Sequence, residues 1–269
     1  MGVFFIDHRW SSRPIAVVEA ESYQRAVELA AGRGVRLLYA KLRNQDLLGA
    51  SLPAADLRGA DLGKAWLDEA DLRGADLRSA VICGASLRGA RLRGADLREA
   101  DLRGTDLRLA DLRESRLVGA DLRGVSLLGA QLGGSVLDWR WSAIPLELLR
   151  RQAGSPQAQR LLTDLAFQDD ARPFGWIENL LRHPAEAEWA LEVLRGHLRR
   201  GDNAPEWLRR VAADASSTDP QEKPAVARAV GDVPVPSAPL APPAAPAVAQ
   251  VVWSRRGGQR KTRIVRDSS

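Results

Sequence analysis

The chain has 269 residues, 45% hydrophobic and 27% charged, with a formal net charge of +5 and one cysteine. A single cysteine excludes an intrachain disulfide and a zinc knuckle. No run of about eighteen apolar residues is present to span a bilayer, and Met1–Ile6 is too short for a signal peptide, so a cytoplasmic location is expected.

Residues 1–35 read as an N-terminal cap. Val3–Ile6 and Ile15–Val18 are short β-rich runs separated by a turn-rich stretch, which predicts a hairpin. Glu21 to Ala31 predicts a helix that Gly32 and Gly34 would end.

From Leu37 to Leu137 leucine returns at every fifth residue, with Ile82 the one exception, and alanine precedes it by two positions through most of the run. Period five suits neither regular element. On a helix the leucines would spiral around the rod; on a flat strand they would alternate between faces. The pattern works if each pentapeptide turns the chain through about a quarter circle. Four then close a coil of about twenty residues, with every leucine on the axis and the small residue beside it. Leu57, Leu62, Leu72, Leu77, Leu87, Leu97, Leu102, Leu107, Leu112 and Leu122 are the expected core. Leucine burial alone falls short of the conformational entropy of some hundred residues, so coil-to-coil backbone hydrogen bonds must carry much of the stability.

Units such as Ala75-Asp76-Leu77-Arg78-Ser79 and Ala95-Asp96-Leu97-Arg98-Glu99 make residues 36–138 resemble the pentapeptide-repeat family over some twenty-one units. The resemblance implies a mainly β fold, a right-handed quadrilateral β-helix of about five coils. At ~4.8 Å per coil the rod would be about 25 Å long. Family members can associate through their rod ends, which leaves a homodimer open. Some resemble duplex DNA in shape and negative charge and bind DNA topoisomerases. This chain departs from that pattern: residues 36–138 hold sixteen Lys or Arg against fifteen Asp or Glu. A near-neutral rod is a poor imitation of a polyanion.

Residues twenty apart should stack. Asp56, Asp76 and Asp96 then run beside Arg58, Arg78 and Arg98, and Asp71, Arg91 and Asp111 beside Arg73, Arg93 and Arg113. Adjacent columns of opposite sign neutralise each other, and these six arginines form the candidate partner surface. Trp66 stands where Asp is usual, Val81, Ile82 and Cys83 form an apolar interruption in the middle of the run, and Leu48, Val118 and Leu128 replace the outward Arg. Such apolar points are candidates for a partner's resting place.

Residues 139–214 change to spacings of three and four, predicting four or five short amphipathic helices packed on the last coil. Ser155-Pro156 and Asn203-Ala204-Pro205-Glu206 read as helix starts. Trp139 and Trp141 are expected at the junction, with Trp176, Trp189 and Trp207 in the module's core. From residue 215 onward the composition turns to Pro, Ala and Val, which predicts a disordered tail. It ends in Arg255, Arg256, Arg260, Lys261, Arg263 and Arg266, a candidate anchor for nucleic acid or another anionic partner.

No enzyme constellation emerges, and no cofactor or metal is expected. His8, His183 and His197 lack metal-ligand spacing. Gly59 to Lys64 is one residue short of a phosphate loop and lies within the repeat register. The expected function is a non-enzymatic scaffold that binds a protein partner. The alternative is a nucleic-acid-associated or topoisomerase-interacting protein.

Overall fold

The computed structural model describes residues 1–154, 156–166, 176, 180, 184–206, 208 and 209. The chain divides into two units, Met1–Val233 and Pro234–Ser269. The second unit, and with it the whole basic tail from Arg255 to Arg266, lies outside the described residues, as do His183 and Trp207.

Two strands open the chain. β1 (Gly2–Asp7) pairs antiparallel with β2 (Pro14–Ala20), the hairpin expected from the two β-rich runs. α1 (Tyr23–Gly32) follows, starting two residues later than its apolar pattern suggested. The shift has a local cause: the Ser22 hydroxyl accepts the Arg25 N–H and so sets the N-cap. At the other end Val35 N donates to Ala30 O and Gly34 N to Ala31 O, with Gly34 at φ 76°, which is a Schellman stop.

Beyond it the chain winds as a coil. Parallel bridges join residues twenty apart, from Lys41–Asp61 to Arg116–Val136, so four pentapeptides make each turn of a β-helix. Each bridge is a single residue, and the described rod contains no extended strand, although the fold was expected to be mainly β. A turn every five residues leaves only one residue per side in ladder geometry. In the unit Leu57-Arg58-Gly59-Ala60, Ala60 N donates to Leu57 O over 3.0 Å and Gly59 sits at φ 63°. Arg58 is not in the left-handed region, which makes this a type II turn. The same position has positive φ in every unit from Tyr39 to Gly134, and nine of these residues are not glycine. Their cost is on the order of 1 kcal/mol each and persists because the surrounding coil over-determines them.

The hydrogen bonds of one pentapeptide show why the coil holds. In residues 75–79, Ala75 N donates to Leu72 O in the turn, and Asp76 N to Ala55 O in the coil before. Leu77 N and Ser79 N donate to Asp96 O and Arg98 O in the coil after. The remaining donor, Arg78 N, goes to the Asp76 carboxylate. All five N–H groups are thereby satisfied, as a buried backbone demands. The leucines line the axis, and all ten expected core leucines are no more than 1% exposed.

Both ends of the coil stack are covered by the same chain. At the start Lys41 N donates to Asp7 O, Arg9 N to Tyr39 O, and the Arg9 guanidinium to Gly59 O. α1 adds Gln24 Nε2, which donates to Leu48 O, and Glu28, whose carboxylate accepts Ser51 N. At the far end stand α2 (Ala143–Arg150), α3 (Pro156–Ala166) and α4 (Pro184–Arg195), which pack on one another. Trp139 and Trp141 are buried at the junction and Trp176 is buried in the module, while Trp189 is half-buried.

Candidate functional site

The side chains of the coil form four outward faces, and the arginine ladders fall where the twenty-residue register puts them. Arg58, Arg78 and Arg98 share one face, and Arg73, Arg93 and Arg113 the adjacent one, each column following the bridges Asp56–Asp76–Asp96 and Asp71–Arg91–Asp111. The bonding within each unit was not foreseen. Each D-L-R unit folds back on itself: Arg78 Nε and Nη2 donate to the two oxygens of Asp76 over 2.8 and 2.7 Å, and the pairs Arg58–Asp56, Arg98–Asp96, Arg73–Asp71 and Arg113–Asp111 are likewise bidentate. Arg93 departs from this and pairs with Glu114 one coil on, over 2.7 Å.

The carboxylate in such a unit therefore has two tasks. It caps the one backbone N–H that the coil leaves over, and it holds its own guanidinium. Hydrogen bonds from the arginine hold Asp56, Asp71, Asp76, Asp106 and Asp111 below the usual carboxylate range. For Asp96 and Asp121 burial opposes the shift most strongly, yet the arginine bonds still bring the pKa down. A guanidinium already bound to its carboxylate has little net charge to offer an anionic partner. A groove of about 370 Å³ runs along Arg58, Arg78 and Arg98 between Tyr39 and Glu99, and the Trp10 ring lies tilted against Tyr39 with centroids 4.8 Å apart.

The apolar departures from the repeat are distributed differently. Leu48, Trp66 and Leu128 are 56%, 60% and 50% exposed, as their register suggested, whereas Val118 and Cys83 are half-buried. Leu109 is a fourth exposed position, 56% open, in a corner usually held by glycine.

A third group was not legible beforehand: the residues that close the far end of the rod. The Asp138 and Glu147 carboxylates accept the N–H groups of Gly119 and Gly129 over 2.8 and 3.0 Å. Arg140 and the Trp141 indole donate to Ala120 O, and Arg151 donates to Ala130 O. Asn203, expected at a helix start, also accepts Trp139 N, and Trp176 Nε1 donates to Trp139 O. These are the edge groups that an uncovered coil would present to another chain. Among the described residues no cluster of His, Cys, Asp and Glu is placed to hold a metal ion, and no helix is long and apolar enough to cross a membrane.

The family model for pentapeptide repeats matches in eight copies over residues 36–74, 75–114 and 110–138. A pentapeptide repeat protein from the Arabidopsis thaliana thylakoid lumen is 36% identical over 36% of this chain and 65% of its own, with a TM-score of 0.30. Rfr23 of the cyanobacterium Cyanothece is 34% identical over 39% and 65%, with a TM-score of 0.27. A third, from Nostoc, is 31% identical over 40% of this chain and 93% of its own, with a TM-score of 0.26. The chain thus spans just under two thirds of the first two relatives' length. The comparison with curated proteins returned no match. With its five-residue leucine register, its four-unit coil and eight copies of the repeat, the chain belongs to the pentapeptide-repeat family.

Proposed function

We propose that this chain is a non-enzymatic, cytoplasmic scaffold: a right-handed, square-sectioned rod, capped at both ends, that presents fixed side faces to a protein partner. The observation that carries the reading is the internal closure of the rod. Where the D-L-R pattern holds, the backbone donors and the charges are satisfied within the coil, so what a partner meets is a rigid pattern of side chains set by register. Rigid presentation lowers the entropic cost of binding. The side-chain caps on Gly119, Gly129, Ala120 and Ala130 also argue against a homodimer through the far end of the rod. Affinity capture from native lysate with the full-length chain, with and without nuclease, tests the reading. A protein retained in both samples at on the order of 150 mM salt is expected, since contacts made only to phosphate weaken steeply by then. Recovery of nucleic acid alone would overturn it.

The sequence of the tail favours a second reading, association with nucleic acid through Arg255, Arg256, Arg260, Lys261, Arg263 and Arg266. If that reading holds, deleting residues 250–269 abolishes salt-dependent binding to duplex DNA.

A further inference from the structure

The coil has four faces, yet all four exposed large apolar residues of the rod lie on one of them. Leu48, Trp66, Leu109 and Leu128 fall in the register lines that run through the bridges Asp46–Trp66–Ser86 and Asp106–Ser126. The same face is the acidic one. It carries four acids, Asp46, Asp68, Glu69 and Asp106, against two arginines, Arg88 and Arg108. The other three faces hold at least as many bases as acids.

The charge on this face is also unbalanced locally. Asp106 has the usual bidentate pair, with Arg108. The acids around Trp66 do not. Asp46 accepts the Leu48 N–H, and Asp68 accepts the Ser86 hydroxyl and the Arg88 N–H. Among the described residues no ion pair reaches Asp46, Asp68 or Glu69. The cause lies in the sequence: Trp66 and Ser86 replace the Asp of the repeat, Asp68 replaces its Arg, and the D-L-R clasp cannot form there.

We infer that this face is the docking surface of the scaffold, and that its occupant is a basic segment of a protein partner with apolar side chains near both of its ends. The inference deepens the scaffold reading and rests on it. Leu48 and Trp66 lie in the first two coils, Leu109 and Leu128 in the last two. The pairs are therefore about three coils, ~14 Å, apart at the strand spacing. A helix of about ten residues covers that distance. An exposed tryptophan is the residue type that most often dominates such contacts, and three unpaired carboxylates beside it select for lysine or arginine. The arginine ladders, clasped by their own aspartates, offer no comparable imbalance.

The test is binding of a fluorescent helical peptide of about sixteen residues, leucines at both ends and lysines between, to the full-length chain and its variants. Trp66→Ala is expected to weaken binding at least tenfold, about 1.4 kcal/mol. Asp68→Asn combined with Glu69→Gln should weaken it severalfold and flatten its salt dependence. Arg78→Ala, on the opposite face, should leave it unchanged. Trp66 is 60% exposed, so its truncation spares the core. Equal affinity for wild type and Trp66→Ala, equal affinity for oligolysine of the same charge, or no binding at all would each overturn the inference. The scaffold reading would survive any of these if lysate capture still retained a protein.

Discussion

Glu147 offers the sharpest probe of how the rod is closed. Its carboxylate is 3% exposed, accepts the Gly129 N–H over 3.0 Å, and pairs with Arg151 at 3.1 Å and Arg150 at 3.5 Å. Glu147→Ala removes the charged acceptor of the Gly129 N–H, and the loss of such a hydrogen bond costs about 1.5–3 kcal/mol. The arginines are 37% and 42% exposed and can turn to water, so losing the pairs adds at most ~1 kcal/mol. The sum is about 1.5–4 kcal/mol, or a melting temperature lower by roughly 3–16 °C for a folded body of this size. Glu147→Gln keeps the acceptor and should cost about 1 kcal/mol or less. Calorimetry on the three proteins, with amide exchange at Gly129, separates the effects. If Ala and Gln cost the same, or Ala costs nothing, the carboxylate is not capping the coil.

Three further outcomes follow from the same bonds. Gly59 and Gly74 have nearly the same φ, 63° and 65°, but a Cβ on Gly59 would lie 2.2 Å from the Tyr39 ring, whereas none is near Gly74. Gly74→Ala should therefore cost about 1 kcal/mol and Gly59→Ala at least twice that in urea unfolding. Among the described residues the buried Ser115 hydroxyl has no partner, although Thr105 and Ser135 at equivalent positions donate to Ile82 O and Leu112 O; Ser115→Ala should be neutral or stabilise by up to ~1 kcal/mol in the same assay. Asp56, Asp71, Asp76 and Asp106 have pKa values below the usual carboxylate range in the fold, so the unfolded chain binds more protons in acid. Their contribution is complete above the unfolded value, about 4, and is lost as pH falls through the lowered folded values; a melting temperature flat from pH 5 to 7 and falling below about 4 is expected.

Most of the rod could be read from its sequence because each side chain repeats one local rule. A period of five admits a single way to bury Leu57, Leu77 and Leu97 together, and the stacking of twenty-residue coils follows. The hairpin and the stop at Gly34 were legible from equally local chemistry. The second task of Asp76 was not deduced, because a charge ladder explains D-L-R as well as a backbone cap does; only the leftover Arg78 N–H separates the two. Glu147, Arg151 and Asp138 were missed for another reason. On an amphipathic helix or at a junction they look like ordinary surface charges, and what makes them caps is the edge of a coil 18 to 21 residues away. The concentration of Leu48, Trp66, Leu109 and Leu128 on one face was within reach of the register, but Leu109 hid in a corner position where glycine is usual.

The twenty-residue coil underlies all of this, and the native Cys83 allows it to be tested with one substitution. Cys83 and Arg103 occupy equivalent places in successive coils, since Val81 bridges Asp101 and Gly84 N donates to Arg103 O. Neighbouring ladder residues lie about 4.8 Å apart, within the ~4.4–6.8 Å that a disulfide spans. Under mild oxidation Arg103→Cys should form an intrachain bond to Cys83, detectable by mass spectrometry of the digested protein, while Arg98→Cys and Arg108→Cys should not. Cross-linking that favours residue 98 or 108, or none at 103, would contradict the coil itself.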